Sequence, residues 1–206
     1  MKSFDSSDWK LLSQDLCYEG FFKLVRYHFQ HKKFNGEQSS VLSREIFVRG
    51  DATCVLLYDP SKEAVVLVEQ FRVGGLLHEK APWMLELVAG INEPGEEPRD
   101  VAKRESIEEA DASILDLLHI QDFYPSPGGS TERIHLFAGL VDSSGLGGVH
   151  GLEHEGEDIK AHVIPLGQAR TMLEEGVIDN SPAIIALQWL LLNKDSVDAR
   201  WRQLGT

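Results

Sequence analysis

The 206-residue chain contains only two cysteines, no long apolar run and no excess of basic charge. Cys17 and Cys54 form neither a CxxC pair nor a metal-ligand spacing, so we expect two reduced thiols in a cytoplasmic protein. The first ten residues lack the apolar core of a signal peptide. The longest apolar stretch, 183–192, has about half the length of a membrane span, and Gln188 interrupts it. These absences argue against a secreted disulfide-rich domain and against a membrane protein.

Basic residues are outnumbered by acidic ones, 20 to 33, and the formal net charge is −13. A field of this sign disfavours a general attraction to nucleic acid or to an anionic membrane. It would also repel a small phosphorylated ligand. A ligand of that kind would therefore need local arginines or bound cations.

Strand-like and helical segments alternate along the chain and predict an α/β fold with a mixed sheet and covering helices. Aromatic and β-branched segments on both sides of Asn35-Gly36 predict a small N-terminal antiparallel sheet. The segment 143–156 is rich in glycine and predicts a long mobile loop. We expect an N-terminal β module over 1–50 and a second domain over 51–206. The predicted strands cover 21–27, 41–47, 53–58, 64–70, 84–88, 116–124, 133–141 and 160–164, and the predicted helices cover 98–110, 166–175 and 182–192.

The helix predicted over 98–110 carries an unusual set of carboxylates near its end. Glu105, Glu108 and Glu109 share one face, because residues three and four apart are neighbours on a helix. Glu96 precedes the helix and can fold back toward it. Like charges at this spacing destabilise a helix by a few tenths of a kcal/mol, and the macrodipole disfavours anions late in a helix. A bound Mg²⁺ would reverse both penalties, although spacing alone leaves a solvated acidic face equally open.

The same segment resembles the signature of the Nudix hydrolases. That signature is Gly, five residues, Glu, seven residues, Arg-Glu, an aliphatic residue, any residue, Glu-Glu, any residue, Gly and an aliphatic residue. Its charged positions are all present here at the required spacing, with Gly90, Glu96, Arg104-Glu105 and Glu108-Glu109. Ser106, Asp111 and the small Ala112 depart from it. Because Asp adopts a left-handed conformation at modest cost, we expect a less stable helix end and an intact site.

The resemblance implies roles for the residues of this segment. Glu105 and Glu109 are expected to bind the metals, as is the backbone carbonyl of Ala89. Glu108 is expected to assist them and Arg104 to orient the glutamates. The implied metal is Mg²⁺, with Mn²⁺ as a substitute. The implied fold is the Nudix α/β/α sandwich.

Resemblance to the bacterial ADP-ribose pyrophosphatases extends over about 18–192, and segments such as 43–50, 68–72 and 125–133 carry it. The two negative charges of a diphosphate need arginines, and Arg49 and Arg72, with Arg44 nearby, are the candidates. Phe21 or Phe22 is expected to stack on the adenine, although an aromatic pair on a strand is more often part of a core. Glu132 is expected to contact the terminal ribose. Ile91 and Ser126 complete the implied substrate-binding set.

Two glutamates of the 143–156 loop and its border complete the implied site. The resemblance makes Glu155 the general base that activates water and Glu157 a further metal ligand. A glycine-rich loop of this kind can close over bound substrate, whereas without the resemblance an acidic disordered loop would be favoured. The implied reaction is hydrolysis of ADP-ribose to AMP and ribose 5-phosphate.

Assembly and substrate choice depend on the same resemblance. It implies a homodimer formed through the N-terminal strands, in which the partner supplies part of the adenine and phosphate site. Two alternatives remain open. One is another nucleotide-sugar pyrophosphatase of the same fold, acting on ADP-glucose or GDP-mannose, and the other is a non-catalytic ADP-ribose sensor.

Overall fold

The computed structural model describes residues 4–77, 82–202 and 204, without the side chain of Glu155. Its contacts divide the chain into two compact units. The small unit comprises Met1–Asp51 and Tyr124–Arg133, and the large unit comprises Ala52–Phe123 and Ile134–Thr206. The elements in chain order are β1 Trp9–Glu19, β2 Lys23–His31, β3 Leu42–Val48, β4 Ala52–Asp59, β5 Ala64–Phe71, β6 Trp83–Glu86, β7 Val88–Ile91, α1 Pro98–Ala110, β8 Asp116–Phe123, β9 Ile134–Leu140, β10 Gly148–His150, β11 Ile159–Pro165, α2 Leu166–Glu174 and α3 Ser181–Arg202.

The small unit is a three-stranded antiparallel sheet in the order β1-β2-β3. The sequence predicted β2 and β3 but not β1. Every residue of β1 is exposed, so this strand shows no alternation of buried and exposed positions, and its pairing with β2 defines it. The segment Tyr124–Arg133 adjoins β3 through backbone hydrogen bonds from Phe47 to Gly129 and from Thr131 to Phe47.

The large unit contains an eight-stranded mixed sheet in the order β10-β11-β5-β4-β9-β8, with β6 paired to β5 and β7 paired to β4. The β4–β9 pair is parallel. Alternate residues of β4 and β5 enter two separate cores, and both strands are buried on both faces. One core contains side chains of α1, and the other contains side chains of α2 and α3. The three layers confirm the predicted α/β class and the α/β/α arrangement.

Further boundaries differ from the sequence prediction. β2 covers Lys23–His31 instead of 21–27, so Phe21 and Phe22 precede the strand. The strand predicted over 84–88 is interrupted at Leu87, where the chain changes partner from β5 to β4. The loop predicted over 143–156 contains β10, which pairs with β11. The last helix runs ten residues beyond its predicted end at Leu192, because Val197 and the fully buried Trp201 continue its apolar face. Within the described part of the chain, no helix combines the length and apolar character that crossing a lipid bilayer requires.

Candidate functional site

Helix α1 places its glutamates beside the end of β7. Pro98 occupies its first turn, where a missing N–H costs nothing. The helix ends at Asp111, which adopts the left-handed conformation with φ 49°. Ala102 and Ala110 are buried in the core against the sheet, and Val101 is fully buried as well. This packing fixes the last two turns of α1, which carry the predicted carboxylates, against the strands.

Arg104 is the centre of a carboxylate cluster. Its Nε and one terminal nitrogen donate to the two carboxylate oxygens of Glu96 at 3.0 and 3.2 Å. Its other terminal nitrogen donates to Glu105 at 2.6 Å and to Glu108 at 3.0 Å. These hydrogen bonds, foremost those to Glu96, raise the pKa of Arg104. The guanidinium therefore holds three glutamates in one arrangement, and the fold-back of Glu96 explains how a residue before the helix joins it.

Glu109 is a buried carboxylate, with 2% of its surface exposed. Its Oε2 accepts a hydrogen bond of 3.0 Å from the backbone N–H of Ala89 on β7. Burial raises the pKa of Glu109 to about 8, and the neighbouring charges of Glu105 and Glu157 act in the same direction. The fold thus keeps a carboxylate where its charge is costly, which is a common property of functional sites.

Glu105 lies against the backbone of Gly90. A Cβ atom at position 90 would overlap the Glu105 carboxylate, so a larger residue at this position of β7 would force the Glu105 side chain to move. Burial raises the pKa of Glu105 to about 7, against the opposing charge and hydrogen bond of Arg104. The signature glycine is therefore explained by the close approach of a carboxylate to the strand.

The chain after β10 brings Glu157 toward these carboxylates. Glu157 Oε2 accepts from the backbone N–H of Leu152 at 3.0 Å, and its charge contributes to the raised pKa values of both Glu105 and Glu109. Glu155 lies in the 3-10 turn Glu153–Glu155. Its side chain, predicted as the general base, lies outside the described part of the structure.

The donor set fits a hard divalent cation. Glu105, Glu109 and Glu157 repel one another, two of them are largely buried, and a cation bound among them would remove the cost of both burial and repulsion. Among the described residues, no three His, Cys, Asp or Glu side chains are already arranged to hold a metal ion. Arg104 and the Ala89 N–H take up the carboxylate oxygens instead.

Six of the eight predicted substrate-binding residues lie in the small unit. Arg49 is central there, because its guanidinium contacts Glu132 at 3.1 Å and lies 5.1 Å from the ring centroid of Phe22. Phe22 packs edge-on against Phe21, and 88% of the Phe21 surface is exposed. The Nε of Arg49 is buried and has no hydrogen-bond acceptor among the described residues. Burial raises the pKa of Glu132, although Arg49 opposes that shift.

The other two residues of the small unit do not join this cluster. The guanidinium of Arg44 donates to the Ser43 carbonyl on exposed β3. The backbone carbonyl of Ser126 accepts from the N–H groups of Gly129 and Ser130 and closes a turn.

Arg72 and Ile91 are the predicted substrate-binding residues of the large unit. Arg72 Nε donates to Glu86 at 2.8 Å, and the positive charge of Arg72 opposes the rise in the pKa of Glu109 that burial causes. Ile91 ends β7 and is partly exposed. Arg72 therefore lies within electrostatic range of the carboxylate cluster.

A sequence model of the NUDIX domain matches residues 48–187, which is more than half of the chain. The chain belongs to the Nudix family. It is 48% identical over 206 residues to the ADP-ribose pyrophosphatase of Haemophilus influenzae, covering 98% of this chain and 95% of that protein. It is 43% identical over 199 residues to the ADP-ribose pyrophosphatase of Escherichia coli strain K12, covering 97% and 95%.

More distant Nudix similarities are also found. The chain is 33% identical over 193 residues to the GDP-mannose pyrophosphatase of Pectobacterium atrosepticum, covering 91% of this chain and 96% of that protein. A crystal structure of an ADP compounds hydrolase superposes with a TM-score of 0.69 at 18% identity, covering 95% of this chain and 98% of that one. That structure supports the fold alone.

The departures from the Nudix signature have local explanations. Ser106 is fully buried, and its hydroxyl donates to the Ala102 carbonyl at 2.7 Å, so the polar group replacing an aliphatic one is satisfied within α1. Asp111 adopts the left-handed conformation that the usual glycine would take, and Ala112 N–H bonds the Ser106 carbonyl. Ala112 is buried in the core beneath α1. All three residues fit the Nudix fold without displacing a carboxylate of the Nudix signature.

Sequence reasoning missed Glu86. Its signal was present, because Glu86 is the one charged residue in the apolar run 83–91. A charged side chain in a buried strand needs a partner, but only the structure identifies that partner as Arg72.

Proposed function

We propose that this Nudix protein hydrolyses the diphosphate of ADP-ribose and releases AMP and ribose 5-phosphate. The observation that carries the proposal is 48% identity to an ADP-ribose pyrophosphatase along nearly the whole of both chains. The geometry supports it, because Arg104 holds Glu96, Glu105 and Glu108 of the Nudix signature in one cluster, and the charge of Glu105 acts on the neighbouring Glu109.

The reaction needs a water molecule that attacks one phosphorus of the diphosphate while the oxygen bridging the two phosphorus atoms leaves. We assign Glu105, Glu109, Glu157 and the Ala89 carbonyl to holding Mg²⁺, for which Mn²⁺ is a substitute. When bound, Mg²⁺ neutralises charge on the diphosphate and activates water. Arg104 keeps Glu105 and Glu108 in place. Glu155 takes the proton of the attacking water.

We propose a role in substrate binding for each residue of the predicted set. Arg49 and Arg72 neutralise the diphosphate, and the buried, unmatched Nε of Arg49 supports an anionic partner for it. Phe21 and Phe22 offer aromatic faces for the adenine. Glu132, paired with Arg49, is positioned to accept hydrogen bonds from a ribose. Arg44, Ile91 and Ser126 complete the proposed set.

We further propose that the protein is a homodimer formed through the module over 1–50, with the catalytic domain over 51–206. Val25 is the one buried apolar residue among the described residues of that module, whereas Trp9, Leu16 and Tyr18 are more than half exposed. A sheet of this size does not bury a core of its own. Light scattering should give a molar mass of about twice the 23.0 kDa of one chain, and Leu16→Asp should lower the measured mass toward that of a single chain. An active wild-type monomer would contradict this proposal.

A cytoplasmic location stays a prediction. The prediction rests on the sequence, which contains only two cysteines and no CxxC pair.

The decisive experiment is product analysis after incubation with ADP-ribose and Mg²⁺. We expect AMP and ribose 5-phosphate in equal amounts and no product after addition of a chelator. Glu109→Gln should abolish turnover, and Glu174→Gln, which removes an exposed carboxylate on α2, should leave it unchanged. Full turnover by Glu109→Gln would overturn the proposed site.

A second candidate substrate class is supported by the 33% identity to a GDP-mannose pyrophosphatase. ADP-glucose and GDP-mannose should therefore be assayed beside ADP-ribose, and a higher kcat/KM for either would reassign the substrate. If none is hydrolysed with Mg²⁺ or Mn²⁺ but ADP-ribose still binds, the protein acts as a sensor.

A further inference from the structure

Glu86 is a largely buried carboxylate outside the Nudix signature. It ends β6 in register with Val68 of β5, between the apolar Leu85 and Leu87. Its side chain is 16% exposed. Leu85 and Leu87 belong to the core that contains α2 and α3, whereas Val68 and Val88 belong to the core that contains α1. Because side chains alternate along a strand, Glu86 lies on the α1 face, which also carries the carboxylate cluster.

A carboxylate in this position is costly unless a cation compensates it. Burial raises the pKa of Glu86, and the charge and hydrogen bond of Arg72 oppose that shift. The negative charge of Asp179 adds to the cost. Arg72 approaches Glu86 with an Nε–Oε2 distance of 2.8 Å, so the pair is held by a charge-assisted hydrogen bond.

The pair with Glu86 involves only one nitrogen of the Arg72 guanidinium. Only Nε donates to Glu86, and no described residue accepts from the two terminal nitrogens. The side chain of Arg72 is 44% exposed, and its charge reaches Glu109. Arg72 is thus fixed on one edge by Glu86, and among the described residues nothing competes with an anion for its terminal nitrogens near the carboxylate cluster.

An ordinary surface ion pair provides a contrast within the same unit. Arg170 Nε contacts Glu174 at the same distance of 2.8 Å, but both side chains are about 60% exposed and lie one helical turn apart on α2. Such pairs contribute little to stability. The burial of Glu86 and its cross-strand location therefore distinguish the Arg72–Glu86 pair from a solvated one.

We propose that Glu86 is a positioning residue that holds the Arg72 guanidinium for the diphosphate of the substrate. This inference rests on the proposed function only in taking a diphosphate as the ligand. Glu86 itself carries a negative charge and would repel that ligand, so its effect on binding must act through Arg72. The effect of replacing Glu86 should therefore depend on whether Arg72 is present.

A double-mutant cycle tests this dependence. Glu86→Gln keeps the shape and removes the charge that orients Arg72, so KM for ADP-ribose should rise about five- to tenfold with kcat within about twofold. Arg72→Ala should raise KM further. In the Arg72→Ala background, adding Glu86→Gln should change KM by less than about twofold, and Glu174→Gln should change nothing in either background. Glu86→Asp keeps the charge but shortens the side chain by one methylene, so its KM should lie between those of the wild type and Glu86→Gln.

Calorimetric titration with inorganic pyrophosphate in the presence of Mg²⁺ separates this inference from the proposed function. If the wild type does not hydrolyse ADP-ribose but pyrophosphate binding follows the same cycle, the proposed substrate is wrong and the role of Glu86 stands. An unchanged KM and pyrophosphate Kd in Glu86→Gln would overturn the inference. So would an effect of Glu86→Gln that persists undiminished without Arg72, because that is the behaviour of a merely structural residue.

Discussion

Replacing Glu109 by glutamine should remove catalysis and, in the absence of divalent metal, stabilise the fold at alkaline pH. The carboxylate is 2% exposed, and its pKa is raised from 4.5 to about 8, chiefly by burial. Glutamine has the same shape and can still accept the hydrogen bond from the Ala89 N–H. It carries no charge to bury, so the variant resembles the protonated form of Glu109.

The pKa shift fixes the sign and the pH window of the effect. Below pH 4.5 the carboxyl is protonated in both the folded and the unfolded chain, and no penalty exists. As pH rises from 4.5 to about 8, only the unfolded chain ionises, so the free energy of unfolding falls. Above this window the folded chain is ionised too, and the penalty is constant. With about 1.4 kcal/mol per pKa unit, the loss of unfolding free energy caused by the buried charge of Glu109 reaches about 5 kcal/mol, of which about 3 kcal/mol develops between pH 6 and pH 9.

Denaturant unfolding in a chelator at pH 6 and pH 9 measures this difference. Relative to wild type, Glu109→Gln should gain about 3 kcal/mol in unfolding free energy between the two pH values. Glu105, with a pKa of about 7, titrates in both proteins, so its contribution largely cancels when their unfolding free energies are compared. The exposed control Glu174→Gln should show no such gain. With Mg²⁺ present, turnover by Glu109→Gln should be at least about a hundredfold lower. A stability difference independent of pH would refute the argument that burial of the charge is costly.

Three further substitutions test other features of the large unit. Gly90→Ala should displace the Glu105 carboxylate and lower turnover at least about tenfold with the fold retained. In the control Gly167→Ala the added Cβ meets no neighbouring atom, so turnover should not change. Equal activity of the two variants would contradict this prediction. Asp111→Gly should raise stability by about 1 kcal/mol in thermal unfolding, because φ is 49° there, and a lower Tm would refute it. Asp59→Asn should cost about 2 kcal/mol, since Asp59 is buried and accepts hydrogen bonds from residues 61, 62 and 143. Because hydrogen bonds outweigh burial and lower the pKa of Asp59 to about 2, this contribution is present above pH 3.8 and disappears as pH falls through about 2, so wild type and variant should converge in acid unfolding.

The central strands and the helices could be predicted because their signals are local. Strands β4 and β5 contain the continuous apolar runs 54–58 and 64–68, and the bounds predicted for α1 agree with the structure. Strand β1 could not be found in the same way, because none of its side chains is buried and its partner is another strand. Strand β10 begins at Gly148 with φ 101°, which is typical of a turn, and only its pairing with β11 makes it a strand.

The end of α3 is a different case, because its signal was available. The charged stretch after Leu192 predicts an end to the helix, but Leu190, Val197 and Trp201 keep a helical spacing. All three are buried, and Trp201 Nε1 also donates to Asp116 at 2.9 Å. A search that followed the apolar face beyond the charged residues would have predicted the full helix.

In the candidate site, too, the features within one element could be predicted, whereas the contacts between elements could not. The location of Glu105, Glu108 and Glu109 on one helix could be predicted from the sequence, because spacing determines which side chains of a helix share a face. The pairing of Arg72 with Glu86 depends on which residues of β5 and β6 lie opposite one another, and the sequence does not show that register. The contact between Glu105 and Gly90 likewise depends on how closely α1 approaches β7. What the sequence leaves undetermined is therefore how residues from different elements meet, and that includes the orientation of the Arg72 guanidinium.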